Sequence, residues 1–154
     1  MQAELINTGS ELLLGLVQNR PLGHLAGELA PLGITIPRQV CVPDGAPVRE
    51  AIDRALDRAD VVITTGGLGP TSDDITRDAA AELLGLPFDH DERILEDIRS
   101  RFARRGLTMA GNVARQAMVP RGAEVLPNPF GTAPGLYFSP ALLDARHAKH
   151  LFLL

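Results

Sequence analysis

The sequence predicts an α/β protein with a mostly parallel sheet and helices on both of its faces. Short apolar segments alternate with segments of helical periodicity along the chain, which is the pattern of repeated β-α-β units. Residues 61–63 are a continuous β-branched run, typical of a strand buried on both faces of a parallel sheet. No internal repeat or low-complexity linker divides the 154 residues, so we expect one domain over residues 1–154.

The first half of the chain predicts three strands, with helices between them. These elements are, in order, a strand at 3–8, a helix at 11–32, a strand at 34–42, a helix at 48–59 and a strand at 61–63. Pro21 is expected to break or kink the first helix near its middle, and Gly33 is placed to end it. Pro37 cannot donate a ladder hydrogen bond, so the second strand is predicted at the edge of the sheet.

The second half predicts further helices and shorter strands. A helix over Ile75 to Leu83 ends near Gly85. Asp89 and Glu92 have the spacing of a capping box, which predicts the start of a helix that continues to a stop at Gly106. The remaining predicted elements are a short helical segment near 111–118 and strand-like segments at 123–126, 135–138 and 150–154.

Composition excludes several classes of function. The formal net charge of −4 gives no global electrostatic support for nucleic-acid binding, and no apolar stretch approaches the roughly 18 residues of a membrane span. The arginines within 99–105 belong to a predicted helix that also carries acids, which predicts a solvated helix face. The single cysteine, Cys41, excludes an internal disulfide, fits a reducing compartment and is predicted to be buried in a strand, where it packs against its neighbours. We therefore expect a cytoplasmic protein that binds a small molecule.

Three loops lie where ligands bind in open parallel sheets, after strands and before helices. The first, at 8–12, contains Gly9 for a sharp turn and Ser10, which can cap a helix that begins at Glu11. This segment is either an anion site at a helix terminus or an ordinary cap. The second, at 42–45, contains Asp44, which either caps the following helix or serves catalysis or metal binding.

The third loop, at 64–76, contains most of the information. Gly66, Gly67 and Gly69 leave backbone N–H groups free to approach a ligand, and two adjacent carboxylates, Asp73 and Asp74, follow at the start of a helix. Paired acids beside a phosphate site make chemical sense if a divalent cation bridges them. The alternative is a tight turn that Ser72 or Asp73 caps. The loop matches neither a Walker A motif nor the full dinucleotide fingerprint.

Four segments together resemble a known family: Thr8–Gly15, Val42–Asp44, Thr65–Thr76 and Asn128–Gly135. The chain resembles the molybdopterin-binding fold that molybdenum cofactor biosynthesis proteins share. More closely, it is similar to the N-terminal domain of the competence/damage-inducible CinA family. The resemblance implies a three-layer α/β/α sandwich with a mostly parallel mixed sheet. By resemblance alone, we also expect a homo-oligomer.

The resemblance implies a site for a nucleotide or a pterin that carries phosphate. Asp44 and Asp74 are the implied catalytic carboxylates, and they would hold a divalent cation such as Mg²⁺, Mn²⁺ or Co²⁺, with Asp73 as a further candidate ligand. The implied ligand-binding and phosphate-binding residues are Gly9, Ser10, Glu11, Thr65, Gly66, Gly67, Gly69, Pro70, Thr71, Ser72, Asn128, Gly131, Thr132 and Ala133.

Three functions follow from the resemblance. The first is a metal-dependent hydrolase that cleaves ADP-ribose-like pyrophosphates, an activity associated with CinA-type domains. The second is a molybdopterin-binding or molybdopterin-adenylylating domain, as in the cofactor-synthesis relatives. The third is a nucleotide-sensing domain without catalysis, because the sequence has Asn19-Arg20-Pro21 where the family usually has Asn-Thr-Asn. In the family, the apolar run 150–154 leads into a loop that helps close the site, so we expect the domain to be truncated at its C-terminus.

Overall fold

The computed structural model describes residues 1–143 and 146–154. Its elements, in chain order, are β1 (Gln2–Thr8), α1 (Ser10–Leu13), α2 (Pro21–Leu29), β2 (Thr35–Val42), α3 (Ala46–Leu56), β3 (Val61–Thr65), α4 (Thr76–Leu83), β4 (Phe88–His90), α5 (Glu92–Arg104), β5 (Met118–Pro120), β6 (Glu124–Leu126), β7 (Gly135–Phe138) and β8 (His150–Leu153). Short 3₁₀ helices form at Ala30–Leu32 and Gly111–Ala117. No helix within the described ranges combines the length and the apolar character needed to span a membrane.

Six strands form the main sheet in the order β2-β1-β3-β8-β7-β6. The pairs β1–β2, β1–β3 and β3–β8 are parallel, whereas β7 runs antiparallel to both β8 and β6. A separate antiparallel ribbon joins β4 to β5. The predicted fold class, a mostly parallel mixed sheet between helices, is confirmed.

Apolar side chains leave the central strands alternately toward two cores, one on each face of the sheet. Leu5 of β1 and Ile63 of β3 pack with the apolar face of α2. The neighbouring residues Ile6 and Val62 belong to the larger core, which includes α3 and α4. Successive side chains of a strand point to opposite faces, so this alternation produces the three layers.

The helix predicted over 11–32, with a break or kink at Pro21, is wrong as a single element. α1 ends at Leu13, residues 14–20 are not helical, and α2 begins with Pro21 as its first helical residue. Proline fits there because the N–H that it lacks has no intrahelical partner at that position. Gly33 follows the 3₁₀ turn in a left-handed conformation with φ 74°, and Pro37 lies in the edge strand β2.

The capping box predicted at Asp89 and Glu92 is wrong. Asp89 belongs to β4, which pairs with β5, and the residue that caps α5 is Asp91. The Asp91 carboxylate accepts hydrogen bonds from the backbone N–H groups of Arg93 at 2.9 Å and Ile94 at 3.4 Å. Local spacing could not reveal this shift, because the pairing of β4 with a strand about 30 residues later decides where the helix begins.

Removing the Asp91 cap is expected to lower the free energy of unfolding in a pH-dependent way. The Arg93 side chain, together with the capping N–H groups, holds the pKa of Asp91 below its ordinary value. The carboxylate therefore stabilises the fold above its unfolded-state pKa, and this stabilisation is lost as pH falls through the lower, folded-state pKa. We expect Asp91→Ala to cost about 1 kcal/mol at neutral pH in urea denaturation.

The control for this prediction is Asp91→Asn, which keeps an oxygen acceptor for the two N–H groups but has no charge. The difference between wild type and Asp91→Ala is expected to narrow as the pH is lowered below about 4. If the difference in unfolding free energy between wild type and Asp91→Ala stays constant over this pH range, the negative charge of Asp91 contributes nothing to stability.

Candidate functional site

The three predicted loops meet at one edge of the sheet. Because β2, β1 and β3 are parallel neighbours, their carboxyl ends at Val42, Thr8 and Thr65 lie side by side. The N–H of Gly9, which follows β1, donates to the carbonyl of Val42 at 3.1 Å and joins the first two loops directly. The structure therefore brings together the residues predicted in the first, second and third loops.

Asp44 is bound to the first loop through Ser10. Its Oδ2 accepts hydrogen bonds from the Ser10 backbone N–H at 2.9 Å and from the Ser10 hydroxyl at 3.0 Å. The two capping roles predicted for these residues are both wrong: Ser10 is the first helical residue of α1, after Gly9 at the N-cap, and Gly45 precedes α3. A carboxylate from a different loop thus satisfies a free N–H of α1. This bond fixes Asp44 at the edge of the sheet.

Glu11 lies beside the same turn but points back toward the backbone. Gly9 has φ 145°, and a Cβ at this position would overlap the Glu11 carboxylate. The turn after β1 therefore needs glycine for its backbone conformation, whereas the Glu11 carboxylate is the end of an exposed side chain that can move aside. Of the three residues predicted in this loop, Ser10 is the one that contacts Asp44.

The glycines of the third loop allow close packing between backbone segments. A Cβ on Gly66, which has φ 96°, would lie 2.7 Å from both the carbonyl oxygen and the hydroxyl oxygen of Thr8. A Cβ on Gly67 would overlap the Thr76 hydroxyl, which donates to the Gly66 carbonyl at 3.0 Å. Two threonine side chains thus approach the backbone closely, and this explains why the loop needs glycine at these two positions.

Not every N–H of the glycine-rich loop is available to a ligand. The Gly66 N–H donates to the carbonyl of Leu154 at 2.9 Å, so the prediction that Gly66 presents its N–H to phosphate is wrong. Within residues 1–143 and 146–154, the N–H groups of Gly67 and Gly69 form no hydrogen bond. These two donors lie between the end of β3 and the start of α4, where an anion is favoured.

Asp74 and Asp73 differ in their surroundings. Asp74 is half-buried, and its Oδ2 accepts hydrogen bonds from the Thr71 N–H at 2.9 Å and from the Thr71 hydroxyl. Its carboxylate lies so close to Gly69 that a Cβ there would overlap it. Asp73 is exposed, and Ser72 donates to it at 3.4 Å. Of these two adjacent carboxylates, Asp74 is therefore the more firmly held, and Asp73 was only the further candidate for a metal ligand.

The described residues form no cation site that protein side chains alone enclose. In the part of the chain that the structure describes, no three His, Cys, Asp or Glu side chains gather as metal ligands. Asp44 and Asp74 come from neighbouring loops, and each uses only Oδ2 in the hydrogen bonds of its turn. Magnesium typically binds through one or two carboxylates together with substrate phosphates and water. A cation at Asp44 and Asp74 would therefore need oxygen atoms from a ligand or from water to complete its coordination.

The fourth predicted segment forms a turn at the same edge, beyond β8. Asn128 organises it: its Oδ1 accepts from the N–H groups of Phe130 and Gly131 at 3.0 Å each, and its Nδ2 donates to the Ala133 carbonyl at 2.9 Å. The turn leads into β7, which is separated from β3 by β8. Asn128, Gly131, Thr132 and Ala133 thus share the edge of the site but lie two strands along from the glycine-rich loop.

Arg101 of α5 holds this turn, although the sequence predicts a solvated face for its segment. Its guanidinium donates to the carbonyls of Pro129 at 3.2 Å and Gly131 at 3.0 Å, and it pairs with Asp97 at 2.7 Å. A cavity of about 630 Å³ lies between α5 and the turn. Its lining includes Asn128, Gly131 and Thr132 and contains no residue of the other three predicted loops.

Asn19 connects the irregular segment between α1 and α2 to a row of polar side chains on the sheet. Its amide donates to Asn7 Oδ1 at 3.2 Å and to Cys41 Sγ at 3.0 Å. Asn7 is fully buried and donates to the Thr65 hydroxyl at 2.6 Å. The first asparagine of the altered family motif therefore keeps an ordered position, even though Pro21 begins the following helix. Cys41 itself is only half-buried.

Sequence reasoning missed Arg115; Asn112 and Gln116 match positions of the family that the sequence resembles, but no role was predicted for them. All three lie on the 3₁₀ helix Gly111–Ala117, and their side chains donate to carbonyls of the glycine-rich loop. They follow that loop by more than 40 residues, so no local spacing connects them. The signal that could have found them is the cluster of polar side chains on a segment that is otherwise rich in alanine and glycine.

The fold and the site define a class of protein: an α/β/α domain whose glycine-rich loop and flanking carboxylates lie at the carboxyl edge of a mostly parallel sheet, the molybdopterin-binding fold. A family model described as "Probable molybdopterin binding domain" matches residues 4–154. This chain belongs to that family.

Known relatives agree with this assignment. The chain is 53% identical, over 136 residues, to a "Putative competence-damage inducible protein" of Desulforudis audaxviator, a match that covers 88% of the chain and 33% of that protein. It is 47% identical to a "CinA-like protein" of Akkermansia muciniphila, with the same coverage of 88% and 33%. The chain therefore spans about a third of the length of these curated relatives.

Solved structures show the same fold. A crystal structure of the protein CinA from Thermoplasma acidophilum, described as of unknown function, superposes with a TM-score of 0.83 at 29% identity. That match covers 99% of this chain and 86% of the other. A structure of MogA matches with a TM-score of 0.58 at 21% identity and covers all of this chain and 83% of the other, which supports the fold alone. The predicted resemblance to CinA-type domains is confirmed.

Proposed function

We propose that this chain binds a phosphate-bearing nucleotide at the carboxyl edge of the sheet and hydrolyses the pyrophosphate of ADP-ribose-like substrates with the help of a divalent cation. The observation that carries the proposal is the position of the hydrogen-bond-free N–H groups of Gly67 and Gly69 in a loop that also contains Asp74 and adjoins the Asp44 loop. N–H donors beside carboxylates suit a phosphate that arrives together with a cation.

In this proposal, water attacks one phosphorus atom of the pyrophosphate, and the bond from that phosphorus to the bridging oxygen breaks. With ADP-ribose, the products are AMP and ribose 5-phosphate. Asp44 and Asp74 would hold a divalent cation, and such a cation would lower the pKa of bound water and offset the negative charge of the phosphates. The Gly67 and Gly69 N–H groups donate to phosphoryl oxygens, and their donation strengthens as negative charge develops there.

The hydrogen bonds of the carboxylates prepare them for this role. Ser10 holds Asp44, and Thr71 holds Asp74, each through Oδ2. Because these bonds set each carboxylate before substrate arrives, little reorganisation is needed when the charged ligand binds. The proton released from the attacking water passes to solvent or to a carboxylate oxygen that its neighbours leave free.

A second candidate function is binding or adenylylation of molybdopterin. The description of the family, "Probable molybdopterin binding domain", favours it. A pterin phosphate would use the same N–H donors and the same carboxylates, so the loop geometry suits both candidates equally. A nucleotide sensor without catalysis is favoured only by the Arg20-Pro21 departure, and the ordered contacts of Asn19 weaken that argument.

The proposal is tested by incubating the purified chain with ADP-ribose in three parallel reactions, which contain Mg²⁺, Mn²⁺ or Co²⁺. The measurement is the release of AMP. We expect AMP to form only with a divalent cation and to be abolished by EDTA. Calorimetry with molybdopterin runs in parallel. Heat with the pterin and no AMP from ADP-ribose would overturn the hydrolase proposal in favour of the second candidate. Thermal stabilisation by ADP-ribose without any product would instead indicate a sensor.

A further inference from the structure

A short 3₁₀ helix reaches across to the glycine-rich loop with three side chains. Asn112 donates to the carbonyl of Pro70 at 3.2 Å, and Arg115 donates to the carbonyl of Thr71 at 3.3 Å. Gln116, which is 2% exposed, donates to the carbonyl of Leu68 at 3.5 Å. Three of the four carbonyls between residues 68 and 71 thus accept hydrogen bonds from one distant segment.

Arg115 differs from the other two because it binds on both sides of the loop. Its Nη2 pairs with the carboxylate of Asp78 on α4 at 2.7 Å, while its Nη1 donates to Thr71. A guanidinium can make these two bonds at once because its donors are fixed in a planar fork. Arg115 therefore ties the loop to the helix that follows it.

The tie continues directly to Asp74. Thr71, whose carbonyl accepts from Arg115, also donates its N–H and its hydroxyl to the Asp74 carboxylate. The Asp74 N–H in turn donates to the Thr71 carbonyl at 3.3 Å. The position of the Asp74 carboxylate thus depends on the turn that Arg115 holds.

The neighbouring Arg77 is not placed to take over this role. It is 4% exposed, its guanidinium lies over the ring of Phe88 at 5.8 Å, and it approaches Asp78 only at 3.7 Å. Burial lowers the pKa of Arg77, while the charge of Asp78 opposes that shift. Asp78 is thus shared by two arginines, and only Arg115 also contacts the loop backbone among the contacts described for these residues.

We propose that Arg115 is a positioning residue, which fixes the turn from Thr71 to Asp74 and thereby sets the Asp74 carboxylate for its ligand. The role in setting Asp74 rests on the function proposed above, whereas the restraint of the loop does not. In this role Arg115 acts through Thr71 and Asp74 and does not itself bind the substrate.

The restraint is tested by hydrogen exchange on the whole chain. We expect Arg115→Ala to accelerate amide exchange in peptides covering residues 68–76 by about tenfold or more, because charge-assisted hydrogen bonds that hold the loop are lost. Arg115→Lys keeps the charge without the fork and is expected to restore only part of the protection. Arg121→Ala is the matched control: it removes an exposed pair with Asp89 on the β4–β5 ribbon and should leave these peptides unchanged.

The link to Asp74 is tested by a double-mutant cycle on the rate of AMP release with ADP-ribose and Mn²⁺. We expect Arg115→Ala to lower kcat about tenfold or more with little change in KM, and to have no further effect when Asp74 is already asparagine. Additive effects would overturn the link. If wild type releases no AMP, the proposed function fails. The hydrogen-exchange rates of residues 68–76 then decide by themselves whether Arg115 restrains the loop. Unchanged exchange in Arg115→Ala would overturn the inference whatever the activity.

Discussion

Asp74→Asn is expected to reduce AMP release from ADP-ribose by about 10²–10³-fold, the range found when one preorganised electrostatic group is removed from an active site. Asparagine keeps an oxygen that can accept from the Thr71 N–H and hydroxyl, so the turn is expected to stay in place. The negative charge that would hold the cation is lost. The measurement is kcat/KM over a range of Mn²⁺ concentrations.

Asp74→Ala separates the charge of this residue from its structural role. Alanine removes both the charge and the hydrogen bonds to Thr71, so it should match asparagine in activity but lower the melting temperature further. Asp60→Asn is the matched control, because its carboxylate also accepts a backbone hydrogen bond, from Gln2 at 2.7 Å, at the opposite end of β3. Wild-type activity in Asp74→Asn would show that the role assigned to this carboxylate is wrong.

Gly66→Ala is expected to cost about 3 kcal/mol or more in the free energy of unfolding. Two effects add. The backbone has φ 96°, which an alanine adopts only under strain of about 1–3 kcal/mol. The new Cβ would also lie 2.7 Å from backbone and side-chain oxygens of Thr8 in the central strand β1, which cannot move without disturbing the sheet. Urea denaturation followed by circular dichroism measures the loss.

Gly85→Ala is the control that isolates backbone strain from collision. Gly85 also has a left-handed backbone, with φ 64°, but a Cβ there meets no atom within 4 Å. Its replacement is expected to cost about 1–2 kcal/mol, the strain of the left-handed conformation alone. An equal loss of unfolding free energy in the two variants would mean that the collision between the new Cβ and Thr8 costs nothing beyond the backbone strain.

Strand-helix alternation and the buried β-branched run at 61–63 were enough to predict the layered fold and the edge where ligands bind. Because parallel strands that alternate with helices end at a common edge, Gly9, Asp44 and Asp74 could be grouped before any contact was known. Pro37 placed β2 at the edge of the sheet, because proline cannot donate a hydrogen bond to a neighbouring strand. These conclusions depend only on local chemistry and periodicity.

Tertiary structure alone decided the partners of several polar groups around the site. The Ser10 N–H donates to the Asp44 carboxylate of another loop, and the Gly66 N–H donates to the carbonyl of Leu154. The Arg101 guanidinium donates to carbonyls of a turn about 30 residues away. Sequence by itself determined which residues reach the edge of the sheet, because strand direction and period are properties of short segments. Contacts between segments far apart in the chain decide which N–H donors remain free at this edge. Such contacts also place Arg115 on the loop beside Asp74, and local spacing does not encode them.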